Sequence, residues 1–543
     1  MSQIKYFTIL LIIEATLFSS SLQFGLSSDN NFYTVQTDAG LVFKIRRTDD
    51  GASTRSAGDI ASMVYNGVEY QNAARGSQIN SGFDYLYNGV SAVSVNGEAI
   101  GNDFVKITVQ AGQLTHYYMA RRGFPHIYMA TYFDSEPNTL NMVRYIVRIP
   151  SSKLPNGPPM SDIRGTTRTV ESGDIFALPN GETRSKHYSN MRLIDWTFIG
   201  AAGNNVGIWM VRDNQEGGSG GPFYRSLLNQ CGDDQEITYI TNYGEAQTEA
   251  FRPGILNGPY TLAFTNGEWP PWLDVAWVGG MGLRGYIPYE NRGRVQGHAS
   301  GIPAGFQIVL GWANERAQYW QFTNDEGNFL SPDMIPGDYT MTLYKGELAV
   351  ATDRVTVTPG FTETRHINSA EPVRNTIWRI GEFDGRPTEF LNGDKITTMH
   401  PSDPRMSPWG PVTFYIGQPP ALFPCYQWRE VNDPTTIIFD LAPNQIAPLT
   451  VTVGITVAYA GGRPRVGING WQSSIPAATS QPSSRTMTVG TYRGNNVYLT
   501  YNVPASALVV GTNTMTLTVV SGSSGPGFLS PGYSYDAVEL SFT

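Results

Sequence analysis

Apolar and polar positions alternate in short runs along most of the chain. "VKITVQ" (105–110), "HIYMATYF" (126–133), "MVRYIVRI" (142–149) and "NVGIWMV" (205–211) are separated by Gly, Asn and Asp. A period of two puts successive side chains on opposite faces of a strand. Clusters of Gly, Asn and Asp between such runs supply turns. No stretch of useful length keeps the 3.6-residue period of an amphipathic helix. The pattern predicts an all-β chain whose first unit, over 22–290, is a large β-sandwich. The texture shifts at "NRGRVQGHASG" (291–301). The strands and the "PGDYTMTLY" turn that follow suit a small fibronectin-III-like sandwich over 291–369. From 370 to 543 a third unit ends in alternating strands such as "TNTMTLTVV" and "DAVELSFT", which suits a jelly-roll.

Composition agrees with this division. The chain has 543 residues, more than one hydrophobic core organises. Hydrophobic residues make up 41% and charged residues 15%, the balance of a folded protein. Its 58 glycines and 35 prolines, beside 29 tyrosines and 25 phenylalanines, fit many turns joining aromatic-rich strands. A formal charge of −9 argues against a nucleic-acid-binding surface, while leaving room for a local basic cleft. The start, "MSQIKYFTILLIIEATLFSSSLQFG", has Lys5, an apolar run over Tyr6–Phe18 and small residues at Ser19–Ser21. Residues 1–21 read as a secretory signal peptide, and no later stretch is long and apolar enough to span a bilayer. The expectation is a secreted, extracellular monomer with no membrane partner. Cys231 and Cys425 fall in different predicted units and read as two separate thiols, so a disulfide scaffold is excluded. There is no Asn-x-Ser/Thr sequon.

Three segments carry candidate chemistry. In "MVRYIVRI", Arg144 and Arg148 share a strand face and stand roughly 13 Å apart at the rise of a strand. Two arginines on an apolar strand either meet carboxylates or line a cleft for an anion. In "ETRSKHYSN" (182–190), an extended backbone would put Arg184, Lys186 and Tyr188 on one face. A lysine beside like charges holds its proton less firmly and can act as a general base; the alternative is an ordinary solvated charge cluster. In "ITYITNYGEAQTEAFR" (237–252), Tyr239, Tyr243 and Glu245 have one parity. They form either an aromatic platform beside a carboxylate or part of the core. The "GGSGG" around Ser219 matches G-x-S-x-G but lacks the strand–turn–helix setting that motif needs. The six histidines show no zinc-binding spacing, and no cofactor is required. "FDGRPTEFLNGDK" and "HPSDPRM" offer oxygen ligands for a structural Ca²⁺ in the third unit.

Five blocks in this order, "HIYMATYFDSEPNTLNMVRYIVRIPSSKLPN", "ETRSKHYSN", "GGSGGPFYR", "YGEAQTEAFRPGILNGPY" and "IWRIGEFDGRPTEFLNGDK…MHPSDPRMSPW", resemble the fungal-type rhamnogalacturonan lyases of polysaccharide lyase family four. The likeness runs from about Phe24 to the C-terminus. It implies a catalytic β-sandwich, a fibronectin-III-like domain and a jelly-roll resembling a carbohydrate-binding module. The implied activity is β-elimination at the rhamnose–galacturonate bond of rhamnogalacturonan I. The family's two substrate-carboxylate arginines fall on Arg144 and Arg148, and its catalytic base falls on Lys186. Where the family has a histidine after its glycine, the presumed acid, this chain has Glu245. Two family tyrosines just upstream fall on Thr238 and Ile240. Tyr239 and Tyr243 have the opposite parity unless a bulge shifts the register. Two readings stay open for Glu245. A protonated carboxyl would donate to the leaving oxygen. An ionised one would pair with Lys186, giving a pectin-binding relative impaired in catalysis.

Overall fold

The computed structural model describes residues 23–49, 55–85, 92–137, 142–189, 191–214, 216–243, 247–482 and 485–543. The 1–21 leader and Glu245 therefore lie outside the described residues. The chain is all-β, and the helical segments among the described residues are short 3₁₀ turns.

In the N-terminal region, a seven-stranded antiparallel sheet runs in the order Phe198–Gly203, Val206–Arg212, Leu256–Thr265, His126–Phe133, Leu114–Arg121, Phe104–Ala111, Val93–Ile100. A five-stranded sheet has Val143–Pro150 between Asp234–Asn242 and the short strand Gln78–Ile79. The alternating sequence explains the layering. Tyr145, Val147 and Ile149, with Ile237 and Tyr239 on the neighbouring strand, point into a core shared with Ile127, Met129 and Leu262 of the larger sheet. Arg144, Ile146 and Arg148 occupy the opposite face, paired across the ladder with Ile240, Thr238 and Glu236. Both arginines thus face the same way, as the period of two requires.

The ladder is interrupted once. Val143 pairs with Asn242, but Arg144 pairs with Ile240, so Thr241 is an extra residue on its strand. A bulge of this kind reverses the parity of everything beyond it. Tyr239 stays in the core, whereas Tyr243 joins Ile240, Leu228 and Tyr224 on the other face.

A three-stranded hairpin sheet, Arg168–Glu171, Ile175–Ala177 and Thr183–Ser185, projects from the sandwich and continues into a 3₁₀ turn over Lys186–Ser189. The middle region is a two-sheet sandwich of the fibronectin-III kind around Trp312, Tyr319 and Tyr339. In the C-terminal region, two five-stranded sheets face each other across Trp428, Phe439, Val453 and Tyr535.

All three regions meet at Glu347, whose side chain is 1% exposed. It accepts hydrogen bonds from Arg192 of the first region and Tyr492 of the third, each at 2.6 Å. A cavity of about 270 Å³ opens beside this junction, lined in part by Arg192, Arg225, Glu347 and Arg493.

Candidate active site

The hairpin that carries Lys186 does not continue as a strand. Thr183–Ser185 is extended, and the next four residues turn. The face predicted for Arg184, Lys186 and Tyr188 is therefore broken at the lysine. Arg184 pairs with Glu182 at 3.3 Å. Tyr188 is buried, and its hydroxyl donates to the Thr488 carbonyl at 3.4 Å. The half-buried Lys186 presents its Nζ 3.5 Å from Oδ1 of Asp174, on the same hairpin.

The two arginines of the Val143–Pro150 strand have different surroundings. Arg148 is 4% exposed. Its Nη1 donates to the Gly76 carbonyl at 2.6 Å and its Nη2 to the Asn80 carbonyl at 3.3 Å. Its Nε lies 3.6 Å from Glu236, which Arg75 also holds at 2.9 Å. Asn80 sits at φ +49°, a conformation asparagine tolerates better than most residues, and so turns its backbone toward this strand. The guanidinium of Arg144 has no ion pair or hydrogen bond among the described residues. Its backbone alone is tied down, to Asn80 on both sides. Burial pushes both arginines below their ordinary range, and Glu236 opposes the shift at each.

His187 completes the group. Its Nδ1 is closed off from solvent with no hydrogen-bond partner. Burial, followed by the charges of Arg225, Lys186, Arg485 and Arg144, drives its pKa well below the ordinary histidine value. The imidazole is neutral and surrounded by cations. On a chain with a net charge of −9, this gathering is a local concentration of positive charge.

The predicted aromatic platform does not form. Tyr239 stacks on Tyr260 in the core, with ring centroids 4.2 Å apart. Tyr243 is also buried, with Arg225 over its ring at 5.3 Å and Tyr224 edge-on. It backs the cationic cluster without presenting an open face. Of the residues read from sequence, the structure brings Arg144, Lys186 and Tyr243 into one neighbourhood. It places Arg148 behind them and Tyr239 in the core.

The chain matches the models for "Rhamnogalacturonan lyase B, N-terminal" over 24–285, "Polysaccharide lyase family 4, domain II" over 291–365 and "Polysaccharide lyase family 4, domain III" over 376–540. It is 40% identical to "Probable rhamnogalacturonate lyase A" of Aspergillus terreus, over 95% of this chain and 94% of that one. It is 38% identical to "Rhamnogalacturonate lyase A" of Aspergillus aculeatus and of Emericella nidulans, in each case over 95% of this chain and 96% of the other. The chain belongs to polysaccharide lyase family 4, the rhamnogalacturonan lyases.

In this family 4 lyase, other local signals prove structural. Ser219 donates to the Ala250 carbonyl at 2.9 Å. Cys231 and Cys425 are separate, buried thiols. Of the side chains in the segments considered for Ca²⁺, Asp384 accepts from Arg386, Asp403 from Thr183 and Arg405, and Asn392 is bonded to Ser407. Among the described residues, no group of three or more His, Cys, Asp or Glu side chains could hold a metal. No helix among them is long and apolar enough to cross a membrane.

Sequence reasoning missed the partners from the third domain. Arg485 bridges Glu171 and Asp174, with Nη2 2.8 Å from Asp174. His400 approaches Glu171 at 3.1 Å. Asp403 accepts from both the amide and the hydroxyl of Thr183 at 2.7 Å. No local motif announces these contacts, because the partners stand more than 200 residues apart in the chain.

Proposed function

We propose that this lyase cleaves the rhamnose–galacturonate bond of the rhamnogalacturonan I backbone by β-elimination, outside the cell, with Lys186 as the base. The observation that carries this reading is the guanidinium of Arg144, unpaired among the described residues, which lies in the field of Asp174, the carboxylate that also faces Lys186. The C5 proton of a galacturonate is not acidic while the adjacent carboxylate keeps its full charge. An arginine free of protein partners can take that carboxylate and stabilise the enolate-like transition state. The lysine amine removes the C5 proton, the C4–oxygen bond breaks, and the leaving oxygen takes a proton from Glu245. The product carries a 4,5-unsaturated galacturonate at its new non-reducing end. The N-terminal segment supports export, and the closed carbohydrate-module-like third domain is compatible with a polymeric substrate.

The test is ultraviolet absorbance of the mature protein with rhamnogalacturonan I, with Lys186→Ala and Glu245→Gln in parallel. A rise from the conjugated uronide that vanishes in Lys186→Ala and slows in Glu245→Gln is expected. Full activity in Lys186→Ala would overturn the base assignment. Binding by calorimetry with no absorbance in the wild type would mark a non-catalytic pectin-binding relative.

A further inference from the structure

The hairpin over Arg168–Ser189 depends on the C-terminal domain for much of its polar anchoring. Thr183 is held by Asp403, and Glu171 by His400, Thr488 and Arg485. Tyr188 is bonded to the Thr488 carbonyl, and Arg225, beneath the same turn, to the Val489 carbonyl. Most of these contacts only dock one domain on another. Arg485 does more, because its two nitrogens divide between Glu171 and Asp174, and Asp174 is the carboxylate that faces Lys186.

We propose that Arg485 of the third domain is a positioning residue for catalysis, holding Asp174 back from the Lys186 amine. The inference rests on Lys186 being the base. The geometry shows how the carboxylate is shared. Oδ2 of Asp174 is 2.8 Å from Arg485, a charge-assisted hydrogen bond. Oδ1 is 3.5 Å from Lys186, an ion contact without a hydrogen bond. Arginine's planar fork holds two carboxylates at once in a fixed geometry, Glu171 through Nη1 and Asp174 through Nη2, which a lysine's single ammonium cannot do. With Arg485 gone, no other described residue of the C-terminal domain bonds Asp174 to oppose it as it closes on Lys186. A tight carboxylate–ammonium pair keeps the proton on the amine and removes the base. Among the described residues, the charged or titratable groups sharing this cluster are Arg144, from the Val143–Pro150 strand, Arg225, beneath the turn and bonded to the Val489 carbonyl, and His187, on the same turn; Glu245 lies outside the described residues. None of the three can replace Arg485, because Arg144 is a second cation without a tether, Arg225 is bonded to the Val489 carbonyl and His187 is neutral.

The third domain is then part of the active site, and its fold resembling a carbohydrate-binding module also serves the chemistry. Arg485→Ala should lower kcat about tenfold or more, equivalent to about 1.4 kcal/mol of barrier, with KM little changed. The acid limb of its kcat–pH profile should move to higher pH. Arg485→Lys, which restores charge without the fork, should recover only part of the loss. The deciding variant is Arg485→Ala combined with Asp174→Asn. If Arg485 acts by restraining Asp174, removing the carboxylate's charge restores turnover above that of Arg485→Ala alone, a coupling that a double-mutant cycle measures. A double variant no faster than Arg485→Ala overturns the proposal and leaves Arg485 as a docking contact. So does an Arg485→Ala protein that melts earlier but keeps its wild-type kcat and pH profile. Lys186→Ala, assayed alongside, separates the two levels. Activity surviving in that variant removes the base assignment, whereas its loss together with an unaltered Arg485→Ala removes only the restraint.

Discussion

Arg144 and Arg148 look equivalent in sequence, but the structure predicts that they fail in opposite ways. Arg148→Ala removes two charge-assisted hydrogen bonds, to the carbonyls of Gly76 and Asn80. Those acceptors stay buried, and bonds to charged groups contribute about 1.5–3 kcal/mol each. Glu236 is not orphaned, because Arg75 keeps it at 2.9 Å. Relief from burying the guanidinium offsets part of the loss, so the net cost is about 3 kcal/mol. Arg144→Ala removes a cation with no ion-pair or hydrogen-bond partner among the described residues and should cost under about 1 kcal/mol of stability. Its catalytic cost should be far larger: losing one preorganised donor to a developing oxyanion lowers turnover about 10²–10³-fold. A three-domain chain does not unfold in one step, so a single melting temperature is the wrong readout. Hydrogen exchange of the Val143–Pro150 amides reports the local cost, and ultraviolet product formation reports the catalytic one. Arg148→Ala should lose protection across that strand, and Arg144→Ala should keep protection while losing activity. Equal loss of protection in both variants would refute the assignment of Arg144 to substrate and of Arg148 to the fold.

Two further outcomes follow from buried groups. Burial pushes His126 down to about 4 and His116 to about 3. Both fold only in the neutral form, so their stabilisation is complete above the unfolded histidine value near 6.5 and falls with acid by about 1.4 kcal/mol per pH unit each. Asp213 and Glu389, both raised to about 7 by burial, act with the opposite sign, so total stability is a poor guide. The wild-type minus His126→Gln difference in hydrogen-exchange protection of the His126–Phe133 amides should instead shrink steadily from pH 6.5 to about 4, and a difference independent of pH would contradict the burial argument. Tyr239→Phe should keep wild-type kcat and KM, because the ring packs on Tyr260 inside the sandwich, while Tyr239→Ala should cost about 3–5 kcal/mol as a large core truncation. A KM raised specifically in Tyr239→Phe would return this residue to the cleft.

The sheet architecture and the shared face of Arg144 and Arg148 were legible because strand periodicity is local and survives until something interrupts it. Thr241 is such an interruption. One unpaired residue between Tyr239 and Tyr243 sends the two rings to opposite faces, and nothing in "ITYITNYG" marks where the ladder slips. The shift falls at Thr241, opposite Val143 and Arg144. Charge was legible in the same partial way. The sequence counts cations in "ETRSKHYSN" and "MVRYIVRI" but cannot say which are neutralised. Arg184 finds Glu182 two residues away, and Arg148 finds backbone carbonyls about 70 residues away. The partner that restrains Asp174 lies 311 residues along the chain. Under the proposed mechanism, catalytic readiness is set by which carboxylates are already taken, and that depends on the docking of the third domain. A local motif can therefore point to Lys186 as the proposed base. Whether its amine is free to act is, on the same proposal, decided by Arg485 on another domain.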